Sequence, residues 1–351
     1  MSEIAAEDIA DDELLDLGGM DVEAFNDFAI AQGWSDGMPL YPPTEAKVAA
    51  FVETCRGDNE PFPPMSPRQV LPTLQTIAAN AVMAGCKAEY FPAVVAAVRA
   101  VLQPEYNLHG TLATTHPCAP MLMLNGPVRG AIGVNCGSSC FGQGTRANAS
   151  IGRALMLTLM NVGGGKPGTM DRATQGSPAK YTFCFGENEE ESPWEPYHVR
   201  RGFAAGDSVV TALPAEPPHN INDHGSTSGI GILETVAGTI SQTGSNNIYG
   251  KAPFMVVFGP EHAATLKRDG WSVEAVQEKI YALSAVDAAR VSKENRENYE
   301  ERDQVVEGGR YYLARSPADI QIAVAGGAGK HSAYIPTFGF TEACSVRIAT
   351  R

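Results

Sequence analysis

Apolar residues recur at helical spacing in several stretches of the chain. Val70, Leu74, Ile77, Ala81 and Val82 share a face, which predicts a helix ending near Met83. Ser66-Pro67-Arg68-Gln69 reads as its capping box, with proline at the first helical position. Phe91 to Leu102 predicts a second, very apolar helix, and Thr44 can start a short one running to about residue 55. Ile151, Leu155, Leu159 and Val162 form a stripe behind Thr145. Ile232 to Gln242 and Val273 to Leu283 predict helices in the second half, and the alternating charges of Lys293 to Asp303 suit an exposed one. Met121 to Leu124, between Pro120 and Gly126, is a short unbroken apolar run, as expected of a strand buried on both faces. Tyr181 to Phe185 and Ile320 to Ala325 read the same way. His219 to His224 is polar and follows Pro217-Pro218, so it reads as a loop.

One pattern occurs twice. Ala119-Pro120-Met121-Leu122-Met123-Leu124-Asn125-Gly126-Pro127 matches Ala252-Pro253-Phe254-Met255-Val256-Val257-Phe258-Gly259-Pro260, and each copy follows an alanine-rich helical stretch. The expected fold is α/β, with two related lobes, a possible internal duplication, and a site at their interface. The expected division is an acidic leader over 1–30, a first lobe over 31–200 carrying the Cys/Gly-rich site, and a second lobe over 201–351.

Composition adds limits. Hydrophobic residues are 44% and charged residues 19% of 351, ordinary for a chain that buries a core. No apolar run is long enough to span a bilayer, and the acidic N-terminus does not read as a signal peptide. The expectation is a cytoplasmic homo-oligomer with no membrane partner. The formal net charge is -14, and from Glu3 to Asp27 there are acidic residues and no basic one. Without clustered Lys and Arg, nucleic acid is not an expected partner. The seven cysteines, an odd number, argue against a disulfide framework.

Between Thr115 and Gly168 the residues that carry chemistry are crowded. Cys136-Gly137-Ser138-Ser139-Cys140 precedes a glycine turn and a helix start, where the dipole can lower a thiol pKa. Cys136 or Cys140 is therefore a candidate nucleophile or redox thiol, with His116 as its base. Arg146 and Arg153 lie seven residues apart on that helix and suit a carboxylate or phosphate. Asn246 and Asn247 offer amide donors beside the second copy of the repeat. Gly326-Gly327-Ala328-Gly329-Lys330-His331 follows a strand; it lacks the P-loop spacing and reads as a nest of backbone donors with Lys330 and His331 beside it. The alternative is a metal site of His116, Cys118, Cys136 and Cys140, a ligand set suited to zinc, iron or copper. The first reading requires no cofactor. Glu187 to Glu191 is a charge run that reads as a solvated face, although one carboxylate folded inward could act as acid or base.

Gly33 to Thr44, Thr114-Thr115-His116-Pro117, Arg146 to Ala154 and Gly327 to Ser332 together resemble a largely uncharacterised bacterial family associated with UGSC-type thiol and selenol proteins. The resemblance spans nearly the whole chain and implies thiol or redox chemistry; this chain has Cys-Gly-Ser-Ser-Cys in place of a U-G-S-C tetrad. The expected function is that of an enzyme acting on a small carboxylate-type anion by cysteine-dependent hydrolysis, elimination or thiol redox. The alternatives are a metal-dependent hydrolase or lyase and a non-enzymatic ligand-binding or assembly protein.

Overall fold

The computed structural model describes residues 18–302 and 308–349. Ten strands are present among them: β1 (Ala119–Asn125), β2 (Cys184–Gly186), β3 (Val209–Ala215), β4 (His219–Asn222), β5 (Phe254–Phe258), β6 (Val286–Asp287), β7 (Arg310–Tyr311), β8 (Ile320–Val324), β9 (His331–Ile335) and β10 (Cys344–Arg347). The fold is α/β. One sheet has the order β10-β3-β1-β2 and another β4-β9-β5-β8; β6 and β7 form a separate small pair.

The two repeat copies are the inner strands β1 and β5. Each has a parallel neighbour on one side, β2 or β8, and an antiparallel neighbour on the other, β3 or β9. The fourth strands cross over. β4 follows β3 in the chain but pairs with β9, and β10 follows β9 but pairs with β3. The correspondence is one of topology.

Side-chain alternation along each strand sets the layers. Ala119, Met121 and Met123 of β1 point one way, into a cluster with Met255, Val257, Ala323, Ala333 and Ile335 from the second sheet. Leu122 and Leu124 point the other way, against the helices Leu74–Met83, Phe91–Val101 and Arg146–Asn161. In the second sheet Phe254, Val256 and Phe258 likewise pack on the helices Gly229–Ile240, Pro260–Arg268 and Val273–Ser284. The result is four layers, helices–sheet–sheet–helices. Both faces of both sheets are buried, which is why β1 and β5 read as unbroken apolar runs.

Three expectations are corrected. The helix ending at Met83 begins at Leu74, with Thr73 and Thr76 as its capping box. Ser66 to Gln69 forms a tight turn closed by Met65 N–H donating to Val70 O at 2.8 Å. Pro72 lacks the amide that a helix interior needs, so the helix cannot run through it. His219–Asn222 is not a loop but β4, an edge strand whose one buried residue is Ile221. Its polar residues sit on the exposed positions, which hid the alternation. The division at residue 200 does not follow the sheets, because β3 and β10, both beyond it, belong to the first sheet. Most of the acidic leader lies outside the described residues. Its last part enters the helix Val22–Ala31, which buries Phe25 and Ala29. The charged helix covers Lys293–Glu301, and Asp303 lies outside the described residues. Among the described residues no helix is long and apolar enough to cross a membrane.

Candidate functional site

A cavity of about 510 Å³ opens between the sheets. Its walls come from two sides: the turn Ser138 to Gly142 on one, and Val257, Gly259, the loop Ala325 to Gly329, and His331 to Ala333 on the other. This is the carboxyl end of β5 and β8, where α/β folds hold ligands. Segments that flank the two sheets are stitched together here. Gly326 N–H donates to Cys136 O at 2.9 Å, and Asn188 N–H donates to Val324 O at 2.7 Å. The backbone turns sharply, with φ +109° at Gly326 and +130° at Gly329. Ser139, on the cavity wall, also has a left-handed φ of +59°, a strained conformation for a residue with a side chain.

Six of the seven cysteines are buried, and Cys136 alone is partly exposed. Burial pushes Cys86, Cys118, Cys140 and Cys344 up to about 12, so these thiols stay protonated. The dipole effect expected at the helix start is not realised, because that helix begins only at Arg146. Cys136 is also raised by burial, but the Arg129 guanidinium opposes it, with Nη1 3.7 Å from Sγ. Gly186 faces the thiol so closely that a Cβ there would collide with Sγ. Cys140, buried, lines the cavity.

Arg129 anchors a polar cluster that the sequence reading did not identify. The guanidinium donates to Glu187 O at 2.7 Å and pairs with Glu189 at 2.8 Å and with Glu190 at 2.9 Å. The charge run is therefore not wholly a solvated face. Glu187 is fully buried, and burial raises its carboxyl to about 7 against the opposing amide of Tyr197. Asn125 Nδ2 donates to Glu187 Oε2 at 2.5 Å and to Glu189 Oε1 at 3.0 Å. A sequence signal for Arg129 existed in the repeat. Gly126-Pro127-Val128-Arg129 matches Gly259-Pro260-Glu261-His262, and both final residues are buried polar groups just past the end of an inner strand.

The other predicted residues are scattered. His116 lies just before β1 and Cys136 beside its far end, so seven strand residues place them roughly 20 Å apart. His116 instead bonds Glu216 at 2.7 Å and stacks on Phe338. Cys118 Sγ donates to Thr111 O at 3.7 Å. The metal set of His116, Cys118, Cys136 and Cys140 is thus split between opposite ends of β1. Among the described residues, no three His, Cys, Asp or Glu side chains group as metal ligands would. Arg153 is held by Asp36 through two bonds of 2.7 and 2.8 Å and by Met38 O and Pro39 O. Arg146 Nε donates to Gly85 O at 2.9 Å. Asn247 is buried and bonded to Ala252 and Thr337; Asn246 begins the same short helix, at the opposite end of β5 from the cavity. Of Lys330 and His331, only the second is on the cavity wall. Lys330 Nζ donates to His224 O at 3.4 Å. The nest is partly filled, since Gly329 N–H donates to Glu261 Oε1 at 2.7 Å.

No protein-family model and no curated protein matches this chain.

Proposed function

We propose that the chain is an enzyme that acts on a small carboxylate-type molecule through Cys136. One observation carries the reading: the single solvent-reaching thiol of seven sits against a guanidinium, next to the turn that walls the cavity between the sheets. A thiol in that setting can become a nucleophile once a base removes its proton. His116 is too distant for that task. His331, the imidazole that lines the cavity, takes the role of proton acceptor. In the covalent step the Sγ–H proton passes to the imidazole, and the sulfur electron pair forms a bond to an ester carbonyl carbon as the C=O π pair moves onto oxygen. Collapse of that adduct breaks the C–O bond, the alkoxide leaves with the proton from the imidazolium, and water then hydrolyses the thioester. Lys330 and the backbone donors of the glycine loop supply the positive field for the carboxylate. Arg146 and Arg153 have no part in it, since one braces Gly85 and the other Asp36.

The test is turnover. A panel of small carboxylic acids and their esters is screened against the wild-type protein and against Cys136→Ser. The reading expects turnover of at least one compound by the wild type and its loss in the variant, with circular dichroism unchanged. Equal turnover by the variant would overturn it.

A further inference from the structure

The rim of the cavity holds a second arrangement, of which the thiol chemistry uses one member, His331. His224, just after β4, and His331, at the start of β9, direct their Nε2 atoms toward one another, 3.2 Å apart. The rings meet at 77° with centroids 5.0 Å apart. Two imidazole nitrogens each about 2.0–2.1 Å from one tetrahedral ion stand about 3.3–3.4 Å apart. Rings aimed straight at each other across this gap would place their centroids about 5.5 Å apart, whereas rings converging on a shared tetrahedral ion would place them about 5.1 Å apart. The observed separation matches the converging case.

The surroundings favour the same geometry. His331 Nδ1 lies 3.0 Å from Asn220 Oδ1, which can only accept, so Nδ1 carries the proton and the Nε2 lone pair faces His224. An outer carbonyl that fixes the ring tautomer is the usual support of a metal-binding histidine. The main chain holds both rings in place: Asn222 lies opposite His331 in the β4–β9 ladder, and Asp223 N–H donates to Lys330 O.

We propose that His224 and His331 form an open transition-metal site at the cavity mouth. Two imidazoles without a carboxylate select copper, nickel or zinc over calcium or magnesium. The remaining positions on the ion are left for water or for a carboxylate. The Lys330 ammonium, which bonds His224 O, disfavours a bare cation but favours one that carries an anionic ligand. The site shares no residue with the ligand set His116, Cys118, Cys136 and Cys140, and it does not depend on the reactivity of Cys136.

The experiment is calorimetric titration of the full chain with Zn²⁺ alone, followed by the absorption spectrum of the Co²⁺ form. The expected result is one ion per chain. His224→Ala and His331→Ala should each weaken binding at least about tenfold, and Asn220→Ala should weaken it less. Asn220→Asp should tighten it, because a carboxylate behind the ring makes Nε2 more basic. Both histidines are exposed, so melting temperatures should be unchanged. Cys136→Ser should bind as the wild type does. Absence of saturable binding would overturn the proposal. So would binding that survives loss of both histidines, or binding that Cys136→Ser abolishes.

Discussion

Arg129 is the residue on which the site turns. It touches the thiol of Cys136, the main chain at Glu187, and the carboxylates of Glu189 and Glu190. Arg129→Met would leave Glu189 without its partner in a largely buried place, a loss of about 3 kcal/mol or more. Urea denaturation checks this; an unchanged midpoint would contradict it. Glu187 gives a separate prediction with a defined sign. Its folded carboxyl is raised to about 7, above the ordinary 4.5, so the folded state holds the proton more tightly than the unfolded chain. Stability should fall as pH rises from about 4.5 to about 7, by up to roughly 3 kcal/mol, and level off above. Glu187→Gln keeps an acceptor for Asn125 and for the Tyr197 amide, so it should abolish that fall and be the more stable protein at pH 8. Thermal denaturation across pH decides the matter, and a slope that persists in the variant would refute the assignment. The cysteines, Lys330 and His331 could be picked out from their local sequence. Glu187 could not, because its meaning comes from a contact across 58 residues that no local pattern encodes, and Arg129 was signalled only by its place in the repeat.

Elements with one dominant period were the legible ones. The helix Arg146–Asn161 and the strands β1, β5 and β8 follow from apolar spacing alone. Shorter strands were hidden for physical reasons. β4 is exposed on all but one residue, and β9 opens with the polar pair His331-Ser332. The helix carrying Arg153 misled at the level of function. Two arginines on one side suggested an anion, but Arg153 clamps the Gly33 to Leu40 segment against the fold through Asp36. Asp36→Ala should therefore cost about 3 kcal/mol and speed amide exchange around Met38 and Leu40. Arg153→Lys should not rescue the clamp, since an ammonium cannot make the two-pronged bond. Hydrogen exchange by mass spectrometry reads both, and unchanged protection over 33–40 would contradict the clamp.

Across the whole molecule the crossing of β4 and β10 matters most. Each sheet takes its fourth strand from the segment that follows the third strand of the other. The inner faces of the two sheets also share one apolar cluster. Neither sheet can therefore come apart without loosening its partner. Guanidinium unfolding should show one transition, coincident by far-UV circular dichroism and by tryptophan fluorescence, and two separated transitions would refute this. The twofold sequence pattern coincides with the inner strands of the two sheets. It did not foretell the crossing, because both fourth strands lie outside the repeated segment.

The central claim of the proposed function is that Cys136 is the reactive thiol. The most direct measurement is alkylation with iodoacetate and, separately, with iodoacetamide, followed by peptide mapping. The account predicts that Cys136 is modified first by both reagents. Arg129→Met should slow modification of Cys136 by either reagent, because the guanidinium is the group that offsets the burial of the thiolate. Modification falling first on another cysteine, or an unchanged rate at Cys136 in Arg129→Met, would contradict the account.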